Sequence, residues 1–199
     1  MTNANLAALN QDELFQAALD AGAGGDSVTA MACLTEAAGR ADATAMTHYL
    51  LGAEYAQVQQ YERASAALAT AIALDPDLHV ARLQLGMLYL GGHDEERGVA
   101  ALAALERLDA LHPLRHFAAG LLLLMRGEPA PALASLEKGM GLNFDLPALN
   151  ADMQRVVNEI VRQGMAAAPD ARPDPSAVPA AEEGVQHVLL SAYTSNRVH

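Results

Sequence analysis

Apolar residues recur along this chain at helical spacing, separated by short turn-forming stretches. Leu14, Phe15, Ala18 and Leu19 share one helical face. Gly24, Gly25 and Asp26 interrupt it, and Asp26 or Ser27 can cap a second helix carrying Ala30, Leu34 and Ala37. The same pattern returns as Ala64, Leu68 and Ala71 in a helix that Asp75-Pro76 closes. Proline cannot continue a helix, and it biases the residue before it away from helical angles. Gly91-Gly92-His93-Asp94 reads as a later turn with Asp94 as N-cap, and Gly127-Glu128-Pro129 as another, its proline at the start of a helix. Leu149, Met153, Val156 and Ile160 fall on one face of a further helix. No Val/Ile/Thr alternation bounded by turn pairs is present, so the pattern predicts an all-α chain.

The helices are not independent of one another. Gly52 is followed 34 residues later by Gly86 and after the same step by Gly120. That step also takes Leu51 to Leu85, Tyr55 to Tyr89, and Leu68 to Leu102 and Leu136. A fixed period of 34 with these residue types resembles the tetratricopeptide repeat family. The resemblance covers residues 11–146 and is carried most specifically by Tyr49 to Pro76. It implies a right-handed superhelix of about four helix–turn–helix repeats, spanning 11–44, 45–78, 79–112 and 113–146. Residues 1–10 then read as a flexible lead-in and 147–164 as a C-terminal capping helix that covers the apolar end of the stack. Residues 165–199 are a Pro/Ala-rich linker and a short tail helix with Val185, Val188, Leu189 and Tyr193 on one side. Within the repeats, Gly98 reads as a helix cost of about 1 kcal/mol against Ala, and Gly139 and Gly141 as weakening the end of their helix. The third repeat's closing proline has slipped to Pro113, which predicts a longer helix before it.

Composition narrows the function. Hydrophobic residues make up 52% of the chain but aromatics only 4%, so Ala and Leu carry the core. The net charge of −12 repels phosphate backbones and anionic membrane surfaces, which argues against nucleic acid as a partner. Cys33 is alone, so no intramolecular disulfide is possible, and a small buried residue is its simplest role. The first residues lack the basic and apolar regions of a secretory signal, and the apolar run from Phe117 to Met125 is far short of the roughly 20 residues a membrane span needs. These features read as a soluble, cytoplasmic protein.

Candidate chemistry is sparse. His112 and His116 are four apart, but Pro113 sits between them and no third ligand follows, so a turn and a helix start are the simpler reading and no metal or cofactor is expected. His48, Arg82 and His116 recur at the 34-residue step, where the family commonly has a large apolar residue. They read either as a cationic ladder for an acidic partner or, more simply, as carbon stems packed on a neighbouring helix with polar tips in water.

The family's concave face, lined by the first helix of each repeat, usually binds a peptide or helix of another protein. Carried over by resemblance, that groove includes Phe15, Tyr49, Leu50, Leu83, Gln84, Met87, Phe117, Leu121 and Met125. None is basic, unlike the carboxylate clamps of members that grip chaperone termini, so the groove suits an apolar segment. The resemblance therefore implies a non-catalytic adaptor or chaperone, similar in size and acidity to bacterial chaperones that hold secretion-system translocators before export. The alternative is a self-assembling subunit that dimerises through the groove or the tail.

Overall fold

The computed structural model describes residues 6–166, and all of these are helix, turn or loop. The helices are α1 (Gln11–Ala23), α2 (Ser27–Ala38), α3 (Ala45–Gln57), α4 (Tyr61–Leu74), α5 (His79–Gly91), α6 (Glu95–Ala103), α7 (Pro113–Met125), α8 (Pro129–Leu142) and α9 (Pro147–Ala166), with a 3₁₀ turn at Ala104–Arg107 after α6. The odd-numbered helices begin at residues 11, 45, 79, 113 and 147, a constant step of 34. The chain divides into an N-terminal unit ending at Arg82 and a C-terminal unit starting at Leu83.

In the N-terminal unit α1 packs on α2, α2 on α3 and α3 on α4. The α3–α4 pair closes around Gly52, where a Cβ would lie 2.8 Å from Leu68 Cγ and 3.2 Å from the Ala64 carbonyl. Only a residue without a side chain lets Leu68 press onto the helix backbone. In the C-terminal unit the same lock returns 34 residues later between Gly86 and Leu102, and again between Gly120 and Leu136, with clearances of 2.7 Å. The three leucines are 0–1% exposed. Arg63 lies over the Tyr55 ring at 4.3 Å, and one period later Arg97 lies over Tyr89 at 4.6 Å.

Two glycines that read as helix-weakening have a packing role. A Cβ on Gly98 would meet Leu90 Cδ2 at 2.5 Å, and one on Gly139 would meet the Phe117 ring at 2.5 Å. Gly141 faces open space. The helix before Pro113 is shorter than the slipped proline suggested. α6 ends at Ala103 and tightens into the 3₁₀ turn, which brings Leu105 into the core at 1% exposure beside Leu102. Nor are residues 6–10 a free lead-in. Leu6 is 3% exposed, and the Arg40 guanidinium donates to the Leu6 and Leu9 carbonyls.

The turns inside the helical pairs repeat in conformation. Gly25, Gln59, His93 and Gly127 stand one period apart and all have φ between 62° and 76°. The next residue in each is an N-cap: Asp26 accepts from Thr29 N–H at 3.0 Å and Asp94 from Arg97 N–H at 3.2 Å, whereas Gln60 and Glu128 make no side-chain cap bond. A left-handed conformation costs a non-glycine residue roughly 1–2 kcal/mol, part of which glycine returns through its larger unfolded entropy. Gln59→Gly and His93→Gly should therefore each raise stability by about 0.5–1 kcal/mol. A urea midpoint unchanged in both variants would show that these turns carry no strain.

The last described helix, α9, packs on α8 and buries Leu149, Met153, Val156, Val157 and Ile160. Its start is fixed by two asparagines. Asn143, 4% exposed, donates to the Leu146 carbonyl at 2.8 Å and to Asn150 Oδ1 at 2.7 Å, while Asn150 donates back to the Asn143 carbonyl at 3.0 Å. A buried side-chain amide keeps its corner only if such bonds are made.

Candidate protein-binding surface

The groove residues expected from the sequence divide into two groups. Phe15, Tyr49 and Leu50 in the N-terminal unit, and Gln84 and Met125 in the C-terminal unit, are half-buried and keep some solvent access. Leu83, Met87, Phe117 and Leu121 do not: they are 0%, 2%, 0% and 1% exposed. Those four belong to the core, which corrects the expectation that they line an open groove. For Phe117 the reason is visible, since its ring occupies the space that Gly139 leaves in α8. The expected tail-docking residues Val185, Val188, Leu189 and Tyr193 lie outside the described residues.

The histidine and arginine positions have structural partners. His112 caps α7, its Nδ1 accepting from Leu114 N–H at 3.2 Å. His116 Nε2 donates to the Ala110 carbonyl at 2.8 Å, and one period earlier the Arg82 guanidinium donates to the Pro76 carbonyl at 3.4 Å. Both side chains tie the start of an odd-numbered helix to the turn six residues before it. Both are half-buried and held to backbone, so their tips are not simply in water. Burial pushes the His48 imidazole below its usual value, which further disfavours a cation there. Cys33 is 0% exposed, and burial pushes its thiol up, away from a reactive thiolate. Among the described residues no group of three His, Cys, Asp or Glu is placed to hold a metal ion. No described helix is long and apolar enough to cross a membrane.

The structure also has a hollow that the sequence reading missed. It lies within the N-terminal unit on the outer face of α2, with a volume of about 480 Å³. The core-facing side of α2 is Ala30, Cys33, Leu34 and Ala37. The hollow is lined from the other side by Val28, Met31, Ala32 and Thr35, with Val58 from the end of α3 and Leu6 from the residues before α1. Ser27 and Glu36 stand at its two ends along α2. Val28 is 81% exposed and Val58 42%. Behind Ser27 lies Glu54 of α3. Its carboxyl is pushed up by burial, an effect opposed by a hydrogen bond from Ser27, and its Oε2 is buried without a hydrogen-bond partner. Sequence periodicity gave no sign of the hollow, because Val28 and Met31 stand outside the repeating apolar positions and Val58 lies in a turn.

No protein-family model matches the sequence, and no curated protein matches it. Solved structures do match the fold. A crystal structure of MamA superposes with a TM-score of 0.56 at 20% identity, over 67% of this chain and 78% of that one. A second MamA crystal structure gives 0.55 at 16% identity, over 82% and 98%. MamA residues 41-end from Desulfovibrio magneticus RS-1 gives 0.56 at 15% identity, over 94% of this chain and 97% of that one. At these identities the likeness shows the fold, an all-α chain of repeated helix–turn–helix units.

Proposed function

We propose that the chain is a tetratricopeptide repeat protein and works as a non-catalytic cytoplasmic adaptor or chaperone, holding an apolar peptide or helix of another protein against its odd-numbered helices. The carrying observation is the 34-residue step itself. It governs helix starts, the glycine–leucine locks and the left-handed turn residues together. A chain whose recurring residues all serve packing is built as a scaffold, and repeat scaffolds act through their surfaces. The half-buried Phe15, Tyr49 and Leu50 supply apolar anchors in the N-terminal unit, and Met125 supplies an adaptable one in the C-terminal unit. The double variant Phe15→Ser, Leu50→Ser should keep its helicity and lose partner capture from native lysate, read by mass spectrometry. Equal capture by the variant and the parent chain would reject this surface.

Self-assembly is the second reading, and exposed apolar side chains in the C-terminal unit favour it: Phe144 is 85% exposed and Leu111 70%. Light scattering over a wide concentration range separates the two, since a monomer at every concentration excludes assembly.

A further inference from the structure

The hollow on the outer face of α2 is lined by none of Phe15, Tyr49, Leu50 and Met125, to which the proposed function assigns binding, and its chemistry is different. Its floor is apolar and its surroundings are acidic. Through Arg82 the chain carries ten Asp and Glu against Arg40, Arg63 and Arg82, so a net −7 of the total −12 lies in the N-terminal unit. Of those arginines, Arg40 is already engaged, with Glu36 at 3.2 Å and with two backbone carbonyls. Arg63 lies over Tyr55, and Arg82 bonds the Pro76 carbonyl. Asp26 caps α2 next to Ser27, and Glu36, the ion-pair partner of Arg40, borders the far end.

We propose that this face is a second docking surface, which takes a basic amphipathic helix of another protein, with apolar side chains seated on Val28, Met31 and Val58 and Lys or Arg side chains set against the acidic surroundings. Residues 28, 31, 32 and 35 follow one face of α2 for two turns, roughly 10 Å. Such a ridge fits the groove of another helix. The volume of about 480 Å³ accommodates two or three aliphatic side chains, and Met31 can adjust to their shape. An acidic helix with the same apolar face meets the net negative charge of this unit, so the sign of the charge selects the partner.

The test uses the full chain and fluorescence anisotropy with two labelled peptides of about 18 residues, which share one leucine face and carry either lysine or glutamate on the other. At physiological salt the Leu/Lys peptide should bind saturably and the Leu/Glu peptide should not. Val28→Lys places a cation on the apolar floor at a position 81% exposed, so folding tolerates it. It should weaken Leu/Lys binding about tenfold or more. Ala69→Lys makes the same charge change on the exposed side of α4 and should weaken it less than about twofold. Equal weakening by the two variants would mean attraction by net charge alone. That result, equal binding of the two peptides, or no binding of the Leu/Lys peptide each overturns the proposal.

Discussion

Phe117→Ala should lower the stability of the chain by about 3–5 kcal/mol and Gly139→Ala by about 1–3 kcal/mol, yet the double variant should be more stable than the sum of the two losses allows. The ring of Phe117 is fully buried, so its removal loses both burial and packing. A Cβ at Gly139 would stand 2.5 and 2.6 Å from two ring carbons, and 3.2 Å from the Pro113 carbonyl. Neither α7 nor the ring can give way cheaply, because Pro113 and Phe117 lie in the same helix. Once the ring is gone the new methyl group enters the space it vacated, and the two effects couple by about 0.5–3 kcal/mol. Gly141 is the internal control. It sits two residues further along the same helix with nothing within 4 Å, so Gly141→Ala should stabilise by about 0.5–1 kcal/mol. Urea denaturation of the four variants followed by far-UV ellipticity measures all of these. Additivity of the pair within about 0.5 kcal/mol would mean that Phe117 and Gly139 do not share one space.

That contrast shows where sequence reading succeeds and where it stops. Gly52, Gly86 and Gly120 were legible because they recur with their leucine partners Leu68, Leu102 and Leu136, and the recurrence itself signals a contact. Gly98 and Gly139 occur once each as partners of Leu90 and Phe117, so propensity alone was available, and propensity counts both as losses. The left-handed turn was half legible. Gly25 and Gly127 announce it, but Gln59 and His93 adopt the same φ because the helices on either side impose it. The binding surface was read less well than the fold. Resemblance assigns positions on a helix but not their exposure. It could not tell half-buried Leu50 from fully buried Leu121, nor find a hollow whose floor comes from α2, from the turn after α3 and from the residues before α1.

Leu121→Glu should abolish folding of the C-terminal unit rather than binding alone. Were Leu121 a groove residue, a glutamate there would leave helicity intact and remove only an apolar anchor. Its exposure of 1% leaves the carboxylate no route to water. The helix cannot rotate to provide one, because α7 also buries Leu114, Phe117, Ala118, Gly120, Leu122 and Leu124. A helix apolar on so much of its circumference has no polar face to turn inward in exchange. Gly120 fixes its position further, since Leu136 presses against the backbone there with a clearance of 2.7 Å. An unpaired charge in such a site costs more than about 4 kcal/mol, a large share of the roughly 5–15 kcal/mol that holds a whole domain together. The expected result is a loss of ellipticity at ordinary temperature and rapid proteolysis of the segment from Leu83 onward. Leu83→Glu, at 0% exposure, should behave alike. By contrast Leu50→Ser, at a half-buried position, should melt cooperatively within a few degrees of the parent chain. Retention of parent-like melting by Leu121→Glu would return that side chain to the surface and restore it as a candidate anchor.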